Sequence, residues 1–227
     1  MSQDNKKDIL GDTIENSFIC LTSSKIKLLI IGGGNAAFIK AKNFAKRGCL
    51  VTVVSKEFIK DFEKFYDHPC IKFIKGEYIR EYIDKNHLVI IATDDEKLNE
   101  NIRRDCDRIN KLYVDCGNPE EGLYIVPYQK DSDYFSFSLK FKGKSPKTSK
   151  YIGSKAFDFL SDYEKFANYT IDMRNKLKRS MRKEVMNFIC SDDFYFFYNK
   201  KKEKLVLQLF YKGCDIYNET CNSNKEK

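Results

Sequence analysis

Residues 27–37 read Lys27-Leu-Leu-Ile-Ile-Gly-Gly-Gly-Asn-Ala-Ala37, an apolar run followed directly by three glycines. A continuous apolar run is typical of a buried parallel strand, and a helical pattern begins after the glycines. The spacing Gly32-x-Gly34-x-x-Ala37 matches the Gly-x-Gly-x-x-Gly/Ala pattern of dinucleotide-binding folds. The stretch therefore predicts a strand, a turn and a helix that together bind a nucleotide. The alternative is a tight strand-to-helix turn that binds nothing.

Each position of this pattern has its own physical role. Gly32 permits the tight turn out of the strand, Gly34 lets the backbone approach a pyrophosphate, and Ala37 lets the helix pack close to the sheet. The helix N-terminus offers free N–H groups and the positive end of the helix dipole to the phosphates.

Strand and helix patterns alternate over the first half of the chain. Strands are predicted at 27–31, 50–54, 71–74, 88–92 and 112–116. Helices are predicted at 36–47, 57–66 and from Asp94 or Asp95 to Ile109, with a short helix or turn at 77–83. This alternation predicts an α/β fold with a Rossmann-type, doubly wound parallel sheet.

The pattern changes after Pro119. Strands are predicted at 123–126 and 134–141, and alternation places Phe135, Phe137, Leu139 and Phe141 on one face of the second strand. That face needs cover, either from the C-terminal helices or from a second subunit. Helical patterns follow, with starts predicted at Ser145, at a capping box Ser161–Glu164 and at Ser191, and an end at Gly213.

Charge and composition narrow the classes of partner. The net charge of +8, from 41 Lys and Arg against 33 Asp and Glu, favours anionic partners, although a lysine-biased surface explains it equally well. The eight cysteines form no Cys-x-x-Cys, so no metal site is predicted. No apolar run approaches the roughly 18–20 residues of a membrane span, and no signal peptide is recognised, so we expect a cytoplasmic protein with reduced thiols.

Two strand ends carry candidate cofactor contacts. An Asp or Glu about 20 residues past the glycines usually accepts the ribose hydroxyls, but the second strand here ends in Ser55, Lys56 and Glu57. Ser55 could bond the ribose and Lys56 could meet a 2′-phosphate, which leaves NAD and NADP open, with NAD favoured. Thr93 and Asp94 follow the central strand, where ligands of open α/β sheets bind, and helix capping is their alternative role.

Five blocks of sequence carry a family resemblance. They are Gly32-Gly-Gly-Asn-Ala-Ala, Val51-Thr-Val-Val, Ala92-Thr-Asp-Asp with Asn99, Tyr124-Ile-Val-Pro127 and Gly143-Lys-Ser-Pro146. In order and spacing they resemble the siroheme synthase dehydrogenase/chelatase family over residues 18–160. The resemblance implies oxidation of precorrin-2 by NAD to sirohydrochlorin. Some members then insert ferrous iron, and the family forms homodimers through the middle β region and the C-terminal helices.

The resemblance also implies roles for single residues. It places Asn35 and Ala36 at the pyrophosphate and Lys56 and Glu57 near the adenosine ribose. Where family members carry an arginine in the first helix, this chain has Ile39.

A second departure from the family affects the catalytic residues. Bifunctional members carry an aspartate at the position of Gly117, and Asp115 lies two residues earlier. If the strand continues, the two positions face the same way, about 6–7 Å apart. Asp115 is then a displaced base, or the role is lost. Asp115 and Asp94 are the two candidate proton acceptors, and dehydrogenase activity without chelation is favoured.

The predicted organisation has five parts. They are a flexible extension (1–17), an NAD(P)-binding Rossmann domain (18–127), a dimerisation region (128–160), a helical C-terminal domain (161–217) and a disordered tail (218–227). The expected partners are an anionic tetrapyrrole and a second copy of the chain, with no nucleic acid and no membrane. Two alternatives stay open: a bifunctional dehydrogenase and ferrochelatase, and a non-catalytic module that senses NAD or binds a tetrapyrrole.

Overall fold

The computed structural model describes residues 17–141, 145–177, 179 and 181–211. The chain divides into two compact units, the first ending at Ile125 and the second beginning at Val126. Most of the predicted extension, the helix end at Gly213, part of the 143–146 block and the predicted tail lie outside the described residues. The five-part domain division stays a prediction.

The first unit is built on a parallel sheet of five strands in the order β3-β2-β1-β4-β5. Its strands are β1 (Lys27–Ile31), β2 (Leu50–Ser55), β3 (Ile71–Lys75), β4 (Leu88–Ile91) and β5 (Leu112–Asp115). Its helices are α1 (Asn35–Lys46), α2 (Glu81–Asp84) and α3 (Glu96–Arg108), with 3₁₀ segments at Ser23–Lys25, Lys60–Phe65 and Pro119–Glu121. The predicted Rossmann-type sheet is confirmed. The strand order reverses between β1 and β4, which is where open sheets of this kind form a ligand crevice.

Alternation along β1 builds the two cores of this unit. Leu28 and Ile30 point into one core, and Leu29 and Ile31 point into the other. The first core includes three alanines of α1, Ala37, Ala41 and Ala45. Their small side chains lie one turn apart on the buried face, so α1 packs close to the sheet and its N-terminus is held at the end of β1.

The helix predicted at 57–66 is wrong in type and extent. The segment forms a 3₁₀ helix at Lys60–Phe65, in which Phe62 is fully buried. The ring of Phe62 lies 5.4–5.6 Å from those of Phe38, Phe58 and Phe73. This aromatic packing outweighs local helix propensity, which is a weak preference. The short helix or turn predicted at 77–83 forms the single helical turn α2.

Within its described residues, the second unit contains an antiparallel strand pair and five helices. The elements are β6 (Tyr128–Asp131), β7 (Ser136–Leu139), α4 (Pro146–Ser161), α5 (Glu164–Lys176), α6 (Arg182–Ile189), α7 (Asp192–Asn199) and α8 (Glu203–Phe210). A core formed by α5 to α8 is centred on Phe194, Val185 and Ile189, which are fully buried. The small β region and the helical C-terminal part predicted from the sequence are both present.

The aromatic face of β7 receives cover from α4. The Phe135 ring lies 5.1 Å from that of Phe157 on α4, and Lys130 of β6 lies over the same Phe157 ring at 4.1 Å. Gly153 of α4 leaves room for the Tyr128 ring, because a Cβ at position 153 would collide with that ring. The C-terminal helices therefore supply at least part of the cover that the sequence required.

Two predictions for this half of the chain are wrong. Residues 123–126 form no strand, because the N–H groups of Leu123 and Tyr124 turn back to the Tyr113 carbonyl of β5. The Ser161 hydroxyl donates to the Phe157 carbonyl and caps no helix. The long helix predicted from Ser161 is also divided, because Leu177 is extended and ends α5 before α6 begins at Arg182. Ser191 caps α7 as predicted.

Candidate functional site

The turn after β1 joins the ends of three strands. Gly32 has φ +126° and donates its N–H to the Val54 carbonyl of β2 at 2.9 Å. A side chain on Gly32 would collide with the Ala92 carbonyl oxygen that follows β4, and it would lie 3.3 Å from the Thr93 nitrogen. Backbone conformation and space both require glycine, as the sequence pattern predicted for the tight turn.

The second glycine lets the loop after β2 close on this turn. A side chain on Gly33 would collide with the Glu57 carbonyl oxygen and the Ser55 hydroxyl. The Ile59 N–H donates to the Gly33 carbonyl at 3.0 Å. Sequence reasoning missed this role, because the dinucleotide pattern leaves the middle position free. The only available signal was the third consecutive glycine.

The third glycine faces open space at the start of α1. Gly34 is the N-cap residue with φ −87°, and beyond its chain neighbours and its own helix no atom of the described residues lies within 4 Å of where its Cβ would be. Neither the turn nor the packing of the described residues therefore requires glycine here. An approaching ligand would explain it, since a Cβ would fill the space beside the free N–H groups of the first turn. Those N–H groups belong to Asn35, Ala36 and Ala37.

This arrangement fits the pyrophosphate of a dinucleotide. Glycine supplies no side-chain cap, so the first N–H groups of α1 are left to an external acceptor, and the helix dipole favours an anion there. Asn35 and Ala36 are exposed, whereas Ala37 is buried against the sheet. The structure thus places the predicted pyrophosphate residues at one helix end, and their contact with a cofactor stays a prediction.

The end of β2 carries the candidate ribose contacts. The Ser55 hydroxyl donates to the Glu57 carbonyl at 2.7 Å, which shapes the turn that packs on Gly33. The side chains of Lys56 and Glu57 are exposed, and Lys56 Nζ lies 3.0 Å from Oε1 of Glu77. Glu77 was missed, because it follows a different strand and only the pairing of β2 with β3 brings it here.

The end of β4 is fixed by a buried amide. Asn99, which is 2% exposed, donates from Nδ2 to the Thr93 carbonyl at 3.1 Å and accepts from the Thr93 hydroxyl at 2.5 Å. Asp95 caps α3 by accepting from the Leu98 N–H at 3.1 Å. Asp94 is exposed and does not cap α3. Of the two roles predicted for it, helix capping is therefore wrong, and a contact with a ligand in the crevice stays a prediction.

Asp115 ends β5 beside the end of β4 and is fully buried. Its Oδ2 is paired with Arg103 Nη1, and its Oδ1 accepts from the N–H groups of Gly117 at 2.9 Å and Asn118 at 3.1 Å. The strand does not continue to Gly117, so the expected same-face geometry of positions 115 and 117 is wrong. The chain turns instead around the carboxylate. These contacts give Asp115 a structural role, and its catalytic role stays a prediction.

Arg103 connects this buried carboxylate to the helix surface. Its Nη2 lies 2.6 Å from Oε1 of Glu96, and the pKa of the guanidinium is raised, chiefly by this hydrogen bond and also by Asp115. Arg103 and Asn99 stand one turn apart on α3 and hold the ends of β5 and β4. Sequence reasoning did not single out Arg103, although the four-residue spacing of two polar residues next to the apolar positions of α3 was a usable signal.

No metal-binding group emerges around this edge. The residues that the structure describes contain no cluster of three or more His, Cys, Asp or Glu side chains suited to a metal ion. The Nδ1 atoms of His68 and His87 accept hydrogen bonds from the backbone N–H groups of Cys70 at 3.2 Å and Lys27 at 3.0 Å, respectively.

None of the helices in the described ranges combines the length and apolarity of a membrane span.

Comparison with known proteins gives a family match over most of the first unit. Residues 19–128 match the family described as "Putative NAD(P)-binding". The siroheme synthase of Psychrobacter sp. (strain PRwf-1) is 26% identical over 162 residues, which cover 71% of this chain and 33% of the relative. Siroheme synthase 2 of Klebsiella pneumoniae subsp. pneumoniae is 28% identical over 154 residues, which cover 66% of this chain and 33% of the relative. The chain thus spans about a third of the length of these relatives.

A solved structure shares the fold of both units. It is that of SirC, a precorrin-2 dehydrogenase, with a TM-score of 0.65 and 20% identity. The match covers 86% of this chain and 100% of the other. The likeness shows that the nucleotide-binding sheet and the helical part that follows it occur together in another protein.

We expect Gly32→Ala and Gly34→Ala to affect different properties. Gly32→Ala places a methyl group against Ala92 at a positive φ, so it should lower the free energy of unfolding by about 1–3 kcal/mol. Gly34→Ala should leave the free energy of unfolding within about 0.5 kcal/mol but weaken dinucleotide binding about ten-fold or more, because its Cβ enters the space before α1. Urea unfolding and a cofactor titration of both variants measure this, and an unchanged affinity in folded Gly34→Ala would contradict it.

Removing the Arg103 side-chain charge should destabilise the first unit. Arg103→Met leaves the buried Asp115 carboxylate without its cation, which typically costs about 3–5 kcal/mol. Arg104→Met is the matched control, because Arg104 pairs with Glu100 on the exposed side of the same helix and should change the free energy of unfolding by less than about 1 kcal/mol. Adding Asp115→Asn to Arg103→Met should restore part of the loss. Equal stability of the two single variants in urea unfolding would refute the role given to the pair.

Proposed function

We propose that the chain belongs to the siroheme synthase N-terminal family and is a precorrin-2 dehydrogenase that oxidises precorrin-2 to sirohydrochlorin with NAD as hydride acceptor. The proposal rests mainly on how much of the chain aligns with a siroheme synthase. The alignment to a siroheme synthase spans 162 residues, more than the stretch 19–128 contains, so it reaches beyond a nucleotide-binding fold common to many dehydrogenases.

The chain's own residues would perform three tasks in this reaction. The glycine turn and the N-terminus of α1 would bind the pyrophosphate, and Thr93, held by Asn99, would border the nicotinamide half of the crevice. The bound cofactor supplies the hydride acceptor. Asp94 would accept the proton that the substrate releases, because it is exposed at the end of β4 beside the cofactor crevice.

Asp115 is the second candidate for the proton acceptor. Both of its carboxylate oxygens already have partners in the described structure, so it would have to exchange one of them before taking a proton. We therefore assign the proton transfer to Asp94 and a positioning role to Asp115, which holds the turn at Gly117 and Asn118.

The substrate class agrees with the charge of the chain. Precorrin-2 is a polycarboxylate, and a net charge of +8 favours its approach. We propose dehydrogenation without iron insertion, because Gly117 stands where the bifunctional members of the family carry an aspartate. The cytoplasmic location expected from the sequence belongs to the same proposal.

The activity assay mixes the full chain with precorrin-2 and NAD and follows the formation of NADH. We expect NADH to form at a rate proportional to protein concentration. Asp94→Asn should lower kcat about 10²–10⁴-fold, the range for loss of a general base, while NADH binding changes less than about two-fold. Asp84→Asn is the control, because Asp84 is an exposed carboxylate at the end of α2, close to the opposite edge of the sheet.

The outcomes separate the alternatives. Intact NADH binding without turnover would refute the dehydrogenase and favour a nucleotide-sensing module. Full activity of Asp94→Asn would refute the assigned proton acceptor. A separate arm adds ferrous iron to sirohydrochlorin, where we expect no acceleration over iron alone.

We further propose that the second unit forms a homodimer, with α4 in the interface. Tyr151, Ile152 and Phe159 of α4 are exposed, at 65%, 42% and 61%. Ile152 and Phe159 lie seven positions apart and so share one helix face, which presents an apolar surface of the kind that marks interaction sites.

Charge on this face should prevent dimerisation. Ile152→Glu with Phe159→Glu should reduce the mass measured by light scattering from that of a dimer to that of a monomer, since charges are excluded from interface cores. Lys150→Glu is the control, because Lys150 is exposed on the opposite face of α4. A parent chain that is monomeric at micromolar concentration, or a charged variant that stays dimeric, would refute the proposed interface.

A further inference from the structure

An exposed ion pair joins the ends of β2 and β3. Lys56 directly follows the last residue of β2, and Glu77 lies two residues past the last residue of β3. The Gly76 N–H donates to the Ser55 carbonyl at 3.0 Å, which keeps the two strand ends together. Lys56 Nζ consequently lies 3.0 Å from Oε1 of Glu77.

This position is where dinucleotide folds distinguish the two nicotinamide cofactors. The adenosine ribose lies at the end of the second strand, where an acidic residue accepts the hydroxyls of NAD and a basic residue accommodates the 2′-phosphate of NADP. The loop from Ser55 to Ile59 packs directly on Gly33, so the end of β2 borders the proposed pyrophosphate cradle. Without a partner, Lys56 would favour the 2′-phosphate.

We infer that Glu77 selects NAD over NADP by pairing with Lys56, a step that rests on the proposed function and names the residue that sets its cofactor preference. A 2′-phosphate must displace Glu77 from the Lys56 ammonium and then lie next to the carboxylate it has displaced. Since that phosphate carries about −1.5 to −2 charge, the like-charge repulsion acts against NADP alone. Glu77 thereby disfavours the 2′-phosphate of NADP through its negative charge and its hold on Lys56, without itself binding the ribose hydroxyls of NAD.

Glu57 is the competing residue, because it lies on the same loop. Its backbone carbonyl is fixed by Ser55 and faces Gly33, and among the described contacts no ion pair joins its carboxylate to Lys56. The ion pair between Lys56 and Glu77 is 73% and 77% exposed, so breaking it has little effect on folding. Variants at either position are therefore suitable for binding measurements.

The test measures the dissociation constants of NADH and NADPH, through their own fluorescence, for the full chain, for four single variants and for one double variant. Glu77→Gln should tighten NADPH binding about five-fold or more and change NADH binding less than about two-fold, because one nearby like charge is removed. Lys56→Gln should weaken NADPH binding. Adding Glu77→Gln to Lys56→Gln should raise the NADPH affinity by a smaller factor than Glu77→Gln does in the parent chain. The gain in NADPH affinity caused by Glu77→Gln should be smaller at high salt, because exposed charges are screened there.

The control is Glu100→Gln, which removes the carboxylate of a similarly exposed ion pair with Arg104 on α3. An NADPH affinity of Glu77→Gln equal to that of this control overturns the inference, and so does a larger gain in Glu57→Gln. A parent chain that prefers NADPH also overturns it but leaves nucleotide binding intact. A parent chain that binds neither cofactor removes the proposed function itself.

Discussion

The C-terminal edge of the sheet depends on the close approach of Gly32 to the backbone at Ala92. This contact sets the separation of the ends of β1 and β4, and it is possible only because residue 32 has no side chain and adopts φ +126°. Once these two strand ends are fixed, the first turn of α1 and the Thr93 turn border the same crevice. The parallel register of Ile31 with Ile91 and with Val54 then brings the loop after β2 to the same edge.

Two different kinds of interaction maintain this edge. On the β2 side, backbone contacts with Gly33 hold the loop from Ser55 to Ile59, and they are possible only because residue 33 has no side chain. On the β4 and β5 side, it is held by polar side chains of α3, where Asn99 binds Thr93 and Arg103 binds Asp115. Apolar packing secures the middle of the strands, but polar groups at their ends need hydrogen-bond partners once they are buried. This explains why a helix with an apolar face also carries a buried amide and a largely buried guanidinium.

The parallel sheet and the glycine turn were predictable, because each depends on a local pattern: apolar runs that alternate with helices, and a spacing of glycines. The segment at 57–66 was not, since its conformation is set by Phe62 packing against rings that are distant in sequence. The capping box predicted at Ser161 was wrong because the Ser161 hydroxyl bonds the Phe157 carbonyl of the preceding helix and leaves no side-chain cap for α5. Glu77 could not be predicted from spacing around the glycine pattern, because only the pairing of β2 with β3 brings it to this edge. Arg103 was missed although its four-residue spacing from Asn99 on α3 was a usable signal.

Burial changes what a carboxylate at this edge can do. Asp115 and Asp94 follow neighbouring strands and look equivalent in the sequence, yet Asp115 is enclosed by a guanidinium and two backbone N–H groups whereas Asp94 is exposed. A carboxylate with partners on both oxygens stabilises the turn it binds. The proposed function therefore assigns the proton transfer to the exposed Asp94 and leaves Asp115 to hold the border of the site.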